Sequence, residues 1–200
     1  MNQTISRTQP RTREIVTASM FAALILLATS VLKIQTPTFG YIHIGDAFVL
    51  LAGFLLGPVT GGLAAGIGSG LSDLFGGYVL WVPGTFLIKF LTAAAAAQVL
   101  RFLQNLPASR ADGRRSGSVS LMVSVIAAGI AGEILMVTGY FFCNIIVVSI
   151  SNGGFTRAGI AAAAALAVAG LPFNAVQGAA GIVLATPLYS VFRRIFLFQH

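Results

Sequence analysis

Long apolar stretches alternating with short polar breaks set the plan of this chain. Residues 15–32 are mostly apolar and follow a basic polar tail, 1–13, that carries Arg7, Arg11 and Arg13. A run of about 18 residues is long for the apolar centre of a secretory signal and long enough to cross a ~30 Å hydrocarbon layer. It leads directly into further apolar sequence, so it is taken as a first membrane helix and not as a leader cleaved after Ala28-Thr29-Ser30. No charge falls between Asp46 and Asp73, and at ~1.5 Å per residue that stretch holds either one long helix or two short ones. Gly57-Pro58 in its middle, with Gly61-Gly62 just beyond, is a natural stop and restart, because proline suits the first position of a helix and not its interior. Helices are therefore expected at about 41–56 and 59–75. Gly76-Gly77 and Pro83-Gly84 bracket a short loop with Tyr78 and Trp81, and a fourth helix is expected at about 85–103. Residues 105–118 form a flexible, basic linker. A fifth helix at about 119–148 spans ~45 Å and must tilt or protrude. After the turn-like Ser151-Asn152-Gly153-Gly154, the alanine-rich 159–170 is too short to span and is expected as an outer lid or half-inserted helix. The last span is expected at about 172–192.

Composition narrows the class. Hydrophobic residues make up 56% of the chain and charged residues 8%, with a mean hydropathy of +0.90, far from the charge a soluble surface needs. The expectation is an all-α integral membrane protein, six transmembrane helices in a single domain over 14–197. The twelve bases report topology, not nucleic-acid binding. With a cytoplasmic amino terminus, the inner side collects Arg7, Arg11, Arg13, Arg101, Arg110, Arg114, Arg115, Arg193 and Arg194, and the outer side only Lys33 and Arg157, which obeys the positive-inside rule and places both termini in the cytoplasm. A single helix across 47–72 would throw Arg110, Arg114 and Arg115 outward, so the Gly57-Pro58 break gains separate support. Cys143 is the only cysteine and His43 and His200 are far apart, so no disulfide framework, metal site or cofactor is expected. No internal repeat is evident, which weakens an inverted-repeat carrier.

Charges inside spans are costly, and each is a candidate site. Four remain after topology: Asp46, Asp73, Lys89 and Glu133. Asn174 and Gln177 share a face of the last helix, as do Glu133, Tyr140 and Asn144 on the fifth. This polarity sits in the outer half or at mid-depth while the inner halves are apolar, which argues for a cup that opens outward over a sealed floor and against a continuous pore. Asp73 and Lys89 can pair across the hairpin of helices three and four, and such a pair can coexist with a binding role. Asn174 and Gln177 can bind a solute or bond helix to helix. Tyr41, Tyr78 and Trp81 suit an interface or a ring-stacking wall, and His43 adds little alone. Small residues at spacing four, Ala18 and Ala22 in the first helix and Gly62, Gly66 and Gly70 in the third, let another backbone approach closely.

The series YIHIGDAFVLLAGFLLGPVTGGLAAGIGSGLSDLFGGY, WVPGTFLIKF, GEILMVTGYFF and LPFNAVQG resembles the riboflavin-type family of substrate-binding S components of energy-coupling factor (ECF) transporters over most of 17–194. The resemblance implies six helices with both ends cytoplasmic in a bacterial cytoplasmic membrane, and a vitamin bound at the outer face. It further implies delivery through a membrane scaffold subunit and two cytosolic ATPases, with Ala18 and Ala22 facing the scaffold and the loop at about 33–45 gating the pocket. The chain has no phosphate loop of its own. The expected partners are thus a vitamin-like solute, the scaffold and ATPases, and membrane lipid. Mixed charged and aromatic candidates suit a flat polar heterocycle: a vitamin B6 form, hydroxymethylpyrimidine or riboflavin. The expected substrate-binding residues are Asp46, Asp73, Tyr78, Trp81, Lys89, Glu133, Tyr140, Asn144, Asn174 and Gln177. Two other classes remain: a stand-alone ion-coupled carrier relaying through Glu133 and Asp73, and a metal-dependent membrane enzyme built on Asp46 and Asp73, whose spacing matches no catalytic motif.

Overall fold

The structure, a computed structural model, describes residues 9–31, 33–36, 41–106 and 116–197. Arg7 of the tail and Arg110, Arg114 and Arg115 of the linker lie outside the described residues. Among the described residues six α-helices follow in order: α1 (Gln9–Val31), α2 (Gly45–Leu56), α3 (Pro58–Phe75), α4 (Val82–Asn105), α5 (Ser116–Ser151) and α6 (Arg157–Leu197). A two-stranded antiparallel strap, β1 (Ile34–Gln35) and β2 (Tyr41–Ile42), links α1 to α2, with Ile34 opposite Ile42 and Gln35 opposite Tyr41. One 3-10 turn, Val79–Trp81, leads into α4.

Several boundaries differ from the sequence expectation. Helix α1 begins at Gln9, so Arg11 and Arg13 are helical and not part of a tail; the Thr17 hydroxyl donates to the Arg13 carbonyl at 2.8 Å. Helix α2 begins at Gly45 and not near 41, because strand pairing holds Tyr41 and Ile42 extended. The expected lid at 159–170 is instead the first third of one continuous helix of 41 residues that runs through Pro172 and Pro187. Alanine is the strongest helix former, and Ala163 and Ala167 are buried.

The break at Gly57-Pro58 is present. Gly57 has φ +86° and Pro58 opens α3, a left-handed conformation that glycine adopts freely. The resulting α2 is only 12 residues, or ~18 Å, long. It can be short because it stands at the centre, packed against α1, α3, α4 and α6, with Val49, Leu50, Leu51 and Ala52 fully buried. By contrast α1, α4 with its leading turn, α5 and α6 are each long and apolar enough to cross a bilayer.

Close backbone approach holds the bundle together, since apolar burial alone gives helices little reason to associate in lipid. The glycine strip of α3 receives α4: Phe90 lies over Gly62 and Phe86 over Gly66, where an added Cβ would come within 2.8 and 2.9 Å of α4 atoms. On the other side of α3, a Cβ on Gly68 would meet the Ala22 carbonyl at 2.5 Å. Ala18 and Ala22 are half-buried against the core, so packing on α3 uses part of the strip expected to face a partner.

Candidate functional site

A cavity of about 620 Å³, counted to its open mouth, is lined by Thr36, Tyr41 and His43 from the strap region, Asp73, Tyr78, Trp81 and Thr85 from the end of α3 and the start of α4, Tyr140 and Asn144 from α5, and Gly170, Phe173, Asn174 and Gln177 from α6. Seven of the ten expected binding residues therefore converge on it: Asp73, Tyr78, Trp81, Tyr140, Asn144, Asn174 and Gln177. Asp46, Lys89 and Glu133 do not line it. They are buried side chains that lie outside the lining of this cavity.

Aromatic rings form one wall. Tyr41 packs on Tyr78 with centroids 5.3 Å apart and on His43 at 5.5 Å, and Tyr78 meets Trp81 edge-on at 6.0 Å. The Lys33 ammonium lies 4.3 Å from the Tyr41 ring centroid and 5.8 Å from that of Tyr78, within cation–π range. The Tyr41 hydroxyl donates to the Asp73 carboxylate, tying the strap to α3. Beside this contact Ser30 and Ser72 join α1 to α3 at 2.9 Å. Burial, reinforced by the Asp73 charge, pushes the Tyr41 hydroxyl above its ordinary pKa, so it stays protonated and donating. Burial likewise lowers Lys33, against an opposing pull from Asp73. Toward α5 the Trp81 indole donates to Asn144 Oδ1 at 3.0 Å, and the Tyr140 hydroxyl donates to Thr85 Oγ1 at 3.3 Å.

The floor is ionic. Lys89 pairs with Asp46, both side chains fully buried, and not with Asp73 across the hairpin as the sequence allowed. The reason is placement: Asp46 in the first turn of the central helix faces α4, whereas Asp73 is engaged by Tyr41. The Lys89 ammonium lies 5.2 Å from the Tyr140 ring centroid, so Tyr140 spans from the pair to the cavity wall. Gln177 Nε2 donates to Asp46 Oδ2 at 2.7 Å, while Gln177 Oε1 accepts the His43 amide N–H at 3.2 Å. His43 Nδ1 accepts the Gly45 N–H at 3.0 Å, and burial pushes the imidazole pKa down to about 3. Glu133 is 5% exposed, and neither carboxyl oxygen has a hydrogen-bond partner; it packs against Gly178 and Gly181 of α6.

Sequence reasoning passed over Thr36, Thr85, Gly170 and Phe173, which carry no charge or periodic signal, and gave His43 little weight. The signal for His43 was its position in YIHIGD, three residues before the buried Asp46. The two carboxylates of the metal-enzyme reading, Asp46 and Asp73, have separate protein partners, and among the described residues no three His, Cys, Asp or Glu side chains gather to hold a metal.

Residues 9–194 match the family model described as the ECF-type riboflavin transporter, S component. A solved structure described as the S component of a bacterial ECF transporter superposes with a TM-score of 0.60 at 19% identity, covering 93% of this chain and 98% of that one, which is a likeness of fold. An uncharacterized protein of Pyrococcus woesei is 38% identical over 66 residues, a stretch that is 32% of this chain and 44% of that protein's length.

Proposed function

This chain belongs to the S-component family of ECF-type riboflavin transporters, and on that premise we propose that its cavity captures a small planar heterocycle on the outer side of a bacterial cytoplasmic membrane. S components are substrate-binding subunits of a transporter, not enzymes, and work with a membrane scaffold and ATPase subunits. The observation that carries the reading is the convergence of ring faces, amides and one carboxylate on a cavity whose base is closed by the Lys89–Asp46 pair and Gln177. A base closed in this way suits a cup and not a continuous pore.

The proposed orientation is supported by the count of basic residues along the sequence, nine arginines on the termini and the 105–118 linker with its flanks against Lys33 and Arg157 in the opposite loops. Ring faces of Tyr78 and Trp81 supply stacking area, and Asp73, Asn144, Asn174 and Tyr140 supply directional contacts. Asp46, Lys89 and Gln177 fix the base from beneath. A pyridine or pyrimidine, such as a vitamin B6 form or hydroxymethylpyrimidine, fits this balance of one ring wall and several short polar groups, and riboflavin is the larger alternative. Occupancy would order the strap, through Tyr41 and His43, and so favour docking to the scaffold.

Purification from cells grown in rich medium, followed by mass spectrometry of the co-purifying small molecules, tests this. A stoichiometric heterocycle is expected. Loss of uptake on addition of an uncoupler, together with uptake that persists without any ATPase partner, would replace the reading with an ion-coupled carrier.

A further inference from the structure

Three polar groups at the cavity have a fixed hydrogen-bonding sense, two because their partners can only donate and the third because it is a carboxylate. The Gly45 N–H can only donate, and it points at His43 Nδ1 at 3.0 Å. That nitrogen must carry the lone pair, which leaves the imidazole proton on Nε2. The ring lines the cavity, and among the described residues no acceptor takes that N–H. The Trp81 indole also can only donate, so Asn144 must turn its carbonyl to it and its amide N–H₂ away. No other orientation of the amide pairs the two groups. Asp73 accepts from Tyr41 on one oxygen and keeps acceptor capacity on the other. Gln177, by contrast, is committed at both ends.

Charge adds a second constraint. Lys89 and Asp46 neutralise each other, which leaves the Asp73 carboxylate as the charged side chain among the residues that line the cavity, with the Lys33 ammonium one ring away over Tyr41. A negatively charged solute is therefore disfavoured there.

Resting on the reading that this cavity holds the transported solute, we propose that His43 Nε2–H and Asn144 N–H₂ are fixed donors, that Asp73 is the fixed acceptor, and that the three select a heterocycle without negative charge. Its ring nitrogens or carbonyl oxygens meet the two donors, and a hydroxyl or N–H meets the acceptor. His43 is then a specificity-determining residue. The groups bearing on its ring are Tyr41 from β2, Asp46 from α2, Lys89 from α4 and Lys33 ahead of β1; burial outweighs their charges, so the donor persists across the physiological pH range.

Trp81 is the only tryptophan, so its fluorescence reports on the cavity. Riboflavin, pyridoxine and 4-amino-5-hydroxymethyl-2-methylpyrimidine are each titrated into the protein in nanodiscs. At least one is expected to quench Trp81. His43→Asn keeps an acceptor for the Gly45 N–H, but its amide N–H₂ lies on a shorter side chain and does not reach the place of Nε2–H, and Asn144→Asp keeps the acceptor for Trp81 but loses the N–H₂. Each is expected to weaken the bound probe at least fivefold with an unchanged melting midpoint. In parallel, ¹⁵N-histidine NMR of the His200→Gln protein reports on His43 alone, and the neutral Nε2–H tautomer is expected throughout pH 5 to 8. Binding that ignores both substitutions, or a His43 signal that shows the Nδ1–H tautomer or titrates in this range, overturns the inference. If no probe binds the parent protein, the proposed ligand class and the functional reading beneath it fall together, and the NMR result still decides the state of His43.

Discussion

Lys89 and Asp46 form an ion pair in which neither side chain has any exposed surface. Desolvating two charges costs several kcal/mol each, and the pair survives because each partner offsets the other and Gln177 takes the second carboxylate oxygen. Removing one member strands the other. Lys89→Met is therefore expected to lose about 3–5 kcal/mol of stability, and Lys89→Met combined with Asp46→Leu to recover most of it. Thermal unfolding of the single and double variants in detergent measures this. A single variant as stable as the double would mean that Asp46 finds another counter-charge.

The strap is fastened at its base through Gln177, whose carbonyl holds the His43 amide N–H. Gln177→Leu leaves that N–H and one Asp46 oxygen unpaired, at about 1–3 kcal/mol for each buried group. Hydrogen exchange at the amides of 41–45 is expected to accelerate more than at the centre of α2, which has its own packing. Uniform acceleration across both would show that Gln177 supports the fold generally and does not latch the strap.

The helices were legible because apolar run length and the Gly57-Pro58 punctuation are local properties. The cavity was half legible: a charge or amide in a membrane span is conspicuous, so Asp73, Asn144, Asn174 and Gln177 could be named. Which charge pairs with which depends on how α2 sits between α4 and α6, and spacing along one helix carries no information about that. Lys89 is nearer to Asp73 in sequence and pairs with Asp46 in space. The strap defeated helical reading for a related reason, since two short strands are defined by each other and neither Ile34-Gln35 nor Tyr41-Ile42 is long enough to show an alternation.

His43 makes stability depend on acid. In the unfolded chain it takes a proton below its ordinary 6.5, whereas in the folded protein it stays neutral to about pH 3. Between those values the unfolded state binds more protons, so stability falls as pH drops through the window, by up to ~1.4 kcal/mol per pH unit from this residue. Above 6.5 it contributes no slope. Denaturant midpoints at pH 7 and pH 4.5 are expected to differ less for His43→Asn than for the parent. Equal acid slopes in the two proteins would show that the imidazole is protonated in the fold.

Glu133 gives the opposite result to Lys89 for the same kind of substitution. Its carboxyl group is buried, has no hydrogen-bond partner on either oxygen, and lies against Gly178 where α6 offers no side chain. An unsatisfied polar group in that setting costs on the order of 1–3 kcal/mol, and an unbranched apolar side chain of similar length removes the cost while filling the space. Glu133→Met is expected to raise the unfolding midpoint, with Glu133→Gln near the parent because the amide finds no better partners. Since Glu133 does not line the cavity, ligand affinity measured on the same samples should stay within twofold. A Glu133→Met protein that melts higher but binds tenfold more weakly would instead make the carboxyl a group that acts on the cavity from beneath, held at a cost in stability for that purpose.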